Sequence, residues 1–149
     1  PKNIHETLPT TLAPSQPDPK AIHNIITEFF RVLGLLPVVL GRGELLTALW
    51  GVNLQRDAVQ NLMLQTCPVP DKGGALHLSK LLTPAQIQTL ETLPTPTLDR
   101  DALIAAQITI AQTFLPLARQ LARDTNIDWP DTFEAATRHH LKSTLDLTF

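Results

Sequence analysis

From Ile22 onward the apolar residues return at helical intervals. Ile22, Ile25, Ile26, Phe29, Leu33 and Leu36 share one face. His23, Asn24, Thr27, Glu28 and Arg31 lie between them and make the opposite, polar face. The spacing predicts a first helix over about residues 19 to 40. Asp18 is placed to cap it, with Pro19 as first residue, where a missing N–H costs nothing. Pro37 falls inside the pattern, removes one backbone donor and crowds the Leu33 carbonyl, so a kink is expected there. Gly41 is the stop.

A second pattern predicts a longer helix from about Arg42 to Gln65. It carries two adjacent stripes. Leu45, Leu49, Val52, Val59 and Met63 form one, and Leu46, Trp50, Leu54, Ala58 and Leu62 form the other. An apolar surface that wide predicts a central helix packed on more than one side. Residues 67 to 74, CPVPDKGG, read as a loop, and ALHLSKLL after them as a short helical turn. Thr83-Pro84 opens another short helix to about Leu93, which Pro-Thr-Pro-Thr at 94–97 breaks.

Asp99 to Thr125 reads as the second long helix. Leu103, Ile104, Ile108, Ala111, Phe114, Leu115, Ala118, Leu121 and Ala122 are its expected buried face, Pro116 bends it and Asn126 ends it. A last helix starts near Asp128 to Asp131 and turns Phe133, Ala136, His140, Leu141 and Leu145 inward. No segment alternates as a strand would. The pattern predicts an all-α fold over 19–149, a helical bundle of three to four long helices with short helical connectors. A Pro-rich linker or arm at 1–18 precedes it.

Composition narrows the picture. The chain of 149 residues is long enough to bury one good core, and 43% hydrophobic with 17% charged residues is a globular balance. A formal net charge of -2, with no cluster of Lys and Arg, argues against nucleic acid as a partner. The ten uncharged residues from Val32 to Gly41 are far short of the roughly 20 that span a bilayer, so no membrane partner is expected. No basic start followed by an apolar core marks a signal peptide. The single cysteine, Cys67, allows no intramolecular disulfide and no cysteine zinc site, and a cytoplasmic setting is expected. The chain opens on Pro1; a trimmed complete protein and one domain of a longer one both stay open.

Candidate chemistry is sparse. Asp99-Arg100-Asp101 has the form of a metal-binding carboxylate pair, but it follows PTPTL and opens a helix, where acids cap orphan N–H groups. Lys72-Gly73-Gly74 lacks the remainder of a phosphate loop. The five histidines make no His-x-His or His-x-x-x-His pair, and no serine or cysteine sits in a nucleophile signature. That leaves the corner and the helix after it: Arg42, Glu44, Trp50, Asn53, Arg56 and Asp57. Acids, an amide and an indole along one helix suit the wall of a polar or cationic ligand. Each alone also reads as a helix-end charge or a solvated residue.

The order of these features resembles the C-terminal helical domain of aminoglycoside 6-adenylyltransferase (streptomycin adenylyltransferase) and related nucleotidyltransferases. The resemblance runs from the linker LPTTLAPSQPDP through most of the chain. It rests on Glu28-Phe29-Phe30, the corner Gly41-Arg42-Gly43-Glu44, the loop-to-helix segment Gly73-Gly74-Ala75-Leu76-His77-Leu78-Ser79-Lys80-Leu81-Leu82, and the turn Trp129-Pro130. It implies a helical domain that packs on an N-terminal nucleotidyltransferase core and lines the acceptor site with Glu44, Arg42, Trp50, Asn53 and Asp57. Val52-Asn53 stands where the family often has Leu-Asp, a lost carboxylate that weakens the case for a cationic sugar. The catalytic Gly-Ser and Asp-x-Asp segment is missing from this chain, so no catalytic residue is assigned to it. Mg and NTP are implied for the full-length enzyme, with no cofactor in this chain. The alternative is a free-standing helical interaction module, as a homodimer or as partner of a separate nucleotidyltransferase subunit.

Overall fold

A computed structural model describes residues 13–70 and 77–149. The first twelve residues of the expected arm and the Lys72-Gly73-Gly74 loop lie outside the described residues. Among the described residues the fold is all-α, without a strand. The helices are α1 (Pro19–Gly34), α2 (Leu36–Gly41), α3 (Leu45–Gln65), α4 (Leu78–Leu81), α5 (Pro84–Thr92), α6 (Arg100–Asp124) and α7 (Asp131–Leu145).

Local chemistry sets the boundaries. The Asp18 carboxylate accepts from the Lys20 N–H at 2.9 Å and caps α1, with Pro19 following it. Thr83 and Gln86 close a reciprocal capping box on α5. The Asp99 carboxylate accepts from the N–H groups of Asp101 and Ala102 and caps α6, so the Asp-Arg-Asp triplet does the work of a helix start. Asn126, at φ +54°, turns the chain out of α6, and Ile127 N–H returns to the Ala122 carbonyl at 2.8 Å.

The first predicted helix is two helices rather than one kinked helix. The chain breaks at Leu35, whose N–H bonds back to the Val32 carbonyl at 3.2 Å, and α2 restarts with Pro37 in its first turn. A proline there needs no N–H partner, so a break two residues upstream satisfies it better than a kink at the ring. The second predicted helix begins at Leu45 rather than Arg42, because Gly43 takes φ +71° and cannot continue a right-handed turn.

Helix α3 is central: α1, α2, α5 and α6 all pack on it. Phe29 of α1 stacks on Phe114 of α6 with centroids 3.8 Å apart. Phe30 meets Trp129 edge-on at 6.0 Å and lies 6.0 Å from Phe133, which joins α7 to the core. The expected buried face of α6 is observed at Leu103, Ala111, Phe114, Leu115, Ala118, Leu121 and Ala122. Ala106, Gln107 and Ile110 are buried, while Ile104 and Ile108 are only partly so. On α7 the buried residues are Glu134, Thr137 and Leu141, and Ala136 is exposed.

Pro19–Gly41 and Arg100–Asp124 are long and apolar enough to cross a membrane, with mean hydropathy 1.5 and 1.3 over their best windows. The ten-residue run at Val32–Gly41 is therefore too narrow a test, since Ala102 to Ala118 within the second of these is also uncharged. In this structure 39% and 44% of those windows are buried within the fold, as α1, α2 and α6.

Candidate functional site

The five residues expected at an acceptor site all lie at the surface. Arg42 and Glu44 occupy the α2–α3 corner. Glu44 holds the N-cap position of α3 but makes no side-chain capping bond, so its carboxylate is not spent on the helix end. Trp50, Asn53 and Asp57 follow at helical spacing on one exposed stripe of α3, and Leu46 continues it toward the corner. Leu46 is 71% and Trp50 64% exposed, so the N-terminal half of the second predicted apolar stripe is uncovered. Leu35 and Val38, at the α1–α2 break and on α2, are each 41% exposed.

Arg56 does not belong to that surface. It is partly buried, and its Nη1 donates to the carbonyls of Leu93 at 2.7 Å and Pro94 at 2.9 Å. It ties α3 to the end of α5, where a cation meets orphan carbonyls.

Beside the stripe, a cleft of about 160 Å³ opens between α1, α2 and α3. Val32, Leu35, Leu36 and Val39 form one side, and Ala48, Trp50, Gly51 and Leu54 the other. Of the five expected site residues only Trp50 lines it. Arg31 stands in the wall, but its guanidinium is paired twice with Glu28, at 2.7 and 2.6 Å. That pairing holds the Glu28 carboxyl below its ordinary range.

Gln107 of α6 also forms part of the cleft wall and is 2% exposed. Its Nε2 donates to the Ala48 carbonyl at 3.4 Å, and its Oε1 has no hydrogen-bond partner. Sequence reasoning passed over this residue. The signal was a polar residue at 107 in the helical row Leu103, Ile110 and Phe114. A second and larger cleft, about 240 Å³, lies where α3, α5 and α6 meet around Pro116. Its amides are already engaged: Gln86 Nε2 donates to Thr66, and Gln120 Nε2 donates to Asp124.

The most elaborate charge cluster is structural. Glu134 accepts from Trp129 Nε1 at 2.6 Å, Arg119 Nη2 at 2.5 Å and Arg138 Nε at 2.8 Å. Arg119 stacks over Trp129 at 4.4 Å, and Arg138 lies 4.1 Å over Phe149. Burial pushes the Glu134 carboxyl up, but the bonds from Trp129 and Arg138 and the two positive charges outweigh it and hold the group below its ordinary range. The cluster fastens the Trp129-Pro130 turn to α6 and α7.

Among the described residues no group of three or more His, Cys, Asp and Glu side chains is placed to hold a metal ion. Comparison of the chain with protein-family models, curated proteins and solved structures finds no match.

Proposed function

We propose that this chain is the substrate-binding and structural C-terminal helical domain of a nucleotidyltransferase-type enzyme. The complete enzyme passes NMP from an NTP to a hydroxyl of a small polar acceptor. The observation that supports this reading is the uncovered apolar face at the α2–α3 corner, centred on Leu46 and Trp50 and adjoining the free Glu44 carboxylate. A face of that kind marks a place where a second body docks. The nucleotidyltransferase core, on the same longer chain or on a separate subunit, is that body.

In this arrangement Glu44 accepts hydrogen bonds from the acceptor's hydroxyl or amino groups at the junction between this domain and the core. Asn53 and Asp57 extend the polar wall, Arg42 balances charge at the corner, and Trp50 offers a flat surface to the ligand. Mg and NTP belong to the core. No step of the transfer is assigned to this chain.

The test is turnover. Mg·ATP with an acceptor is expected to give no product with the 149 residues alone and product with the protein that includes the core. Turnover by the 149 residues alone overturns the reading. In the longer protein, Glu44→Ala is expected to raise the acceptor KM; an unchanged KM and rate remove Glu44 from the site. A second reading, a free-standing interaction module or homodimer, rests on the same exposed Leu46 and Trp50. Light scattering tests it, and a clean monomer that binds no partner counts against it.

A further inference from the structure

We propose that the cleft between α1, α2 and α3 binds a small neutral molecule, a single aromatic ring carrying one O–H or N–H donor. The inference stands on this chain's own residues and does not depend on the nucleotidyltransferase reading.

Size comes first. A volume of about 160 Å³ matches an apolar cavity of about 150 Å³ known to take up benzene, so one ring fits and two do not. The wall is mostly aliphatic, with the indole of Trp50 at the rim and 64% exposed. An aromatic ligand gains area burial and an offset-stacked or edge-on contact there.

Charge comes second. The one ionised side chain in the wall, Arg31, is neutralised by its paired Glu28. A charged ligand would lose its hydration against apolar walls without gaining a partner. The ligand is therefore neutral.

The polar group sets the chemistry. Gln107 is buried, and its Nε2 faces the Ala48 carbonyl. Turning the amide end for end would set Oε1 against that carbonyl oxygen, so Oε1 is the atom left free. A buried acceptor without a partner is costly, and a ligand donor relieves that cost. Gln107 lines the cleft, and the terminal torsion of glutamine is broad, so a turn of the amide brings Oε1 to a ligand donor there. An acceptor-only or wholly apolar ring leaves the amide as it was.

The experiment uses the 149-residue chain with phenol and toluene as probes. Binding is followed by the side-chain N–H resonances of Trp50, Gln107 and Gln120 and the backbone N–H resonance of Thr66. Phenol is expected to saturate with a dissociation constant in about the millimolar range, normal for so small a ligand. Toluene is expected to bind about tenfold more weakly, the worth of one hydrogen bond to a buried acceptor. Gln107→Leu is expected to bring phenol down to the toluene affinity. Three outcomes overturn the proposal: no saturable shift with phenol, equal affinity for the two rings, or shifts centred on Thr66 and Gln120 in the other cleft. The phenol–toluene comparison on the unaltered chain decides the matter even where Gln107→Leu does not fold.

Discussion

Gln55 is fully buried, and neither its Nε2 nor its Oε1 has a hydrogen-bond partner. It falls on the innermost row of α3, between Val52 and Val59. An amide stripped of water and given nothing in return costs about 1–3 kcal/mol. Gln55→Leu keeps much the same volume and is expected to stabilise the fold by about 1–2 kcal/mol. A thermal scan would read this as a melting point raised by about 3–8 °C. A lower melting point would show that the amide has a partner, such as an internal water.

Glu134 is the opposite case, a buried carboxylate that accepts from Trp129, Arg119 and Arg138. Glu134→Gln is expected to cost about 1–3 kcal/mol at neutral pH, as charged hydrogen bonds weaken. The folded carboxyl sits below its ordinary range, so the unfolded chain takes up the proton first. Its stabilising contribution is therefore present above about pH 4 and is lost as the pH falls through the folded value. Urea titrations across that window are expected to show the gap between native protein and variant close on acidification; a constant gap would contradict the assignment. Neither residue was legible in the sequence. A glutamine in an apolar row and a glutamate in the first turn of α7 look like surface residues until the neighbouring helices arrive.

At the scale of elements, the corner Gly41-Arg42-Gly43-Glu44 separates two kinds of glycine. A Cβ on Gly41 or on Gly43 would meet nothing within 4 Å, so space is not at issue at either. Only Gly43 has a positive φ, +71°. Gly43→Ala is expected to cost about 1 kcal/mol through backbone strain alone, whereas Gly41→Ala is expected to be neutral or slightly stabilising. Equal effects in chemical denaturation would mean that the corner relaxes. Helix starts are similarly separable. Asp99→Ala removes the side-chain cap of α6 and is expected to cost about 1 kcal/mol. An unchanged midpoint would show that other groups satisfy those N–H donors. Caps and stops were readable from Asp18-Pro19, Thr83-Pro84, Asp99 and Asn126 because they depend on neighbours within a few residues. The α1–α2 break was misplaced because Pro37 forbids one bond but leaves the choice of compensation to the packing.

At the scale of the molecule, the fold leaves Leu46 and Trp50 in water while burying Gln55 and Gln107. That inversion is the strongest physical reason to expect a covering body. The double substitution Leu46→Ser with Trp50→Ser is expected to change the stability of the 149-residue chain by no more than about 0.5 kcal/mol, because neither side chain is in the core. The same pair is expected to loosen any association through this face, measured by light scattering or by co-purification with the proposed core. A large loss of stability in the chain alone would place these side chains in the fold rather than in an interface.

The sequence by itself determined the helices, because 3.6-residue periodicity, proline, glycine and capping side chains act over a few positions. It determined the absence of strand patterning, and it pointed to Arg42, Glu44, Trp50, Asn53 and Asp57 as a polar and aromatic set near one corner. Only the tertiary structure decided which apolar stripe of α3 is covered, which residues of α7 turn inward, and that Trp50 and Gln107 share a cleft. Periodicity tells a helix that it has an apolar side. Burial depends on which other helices reach that side, and residues as distant as Ala48 and Gln107 meet only after the chain has folded.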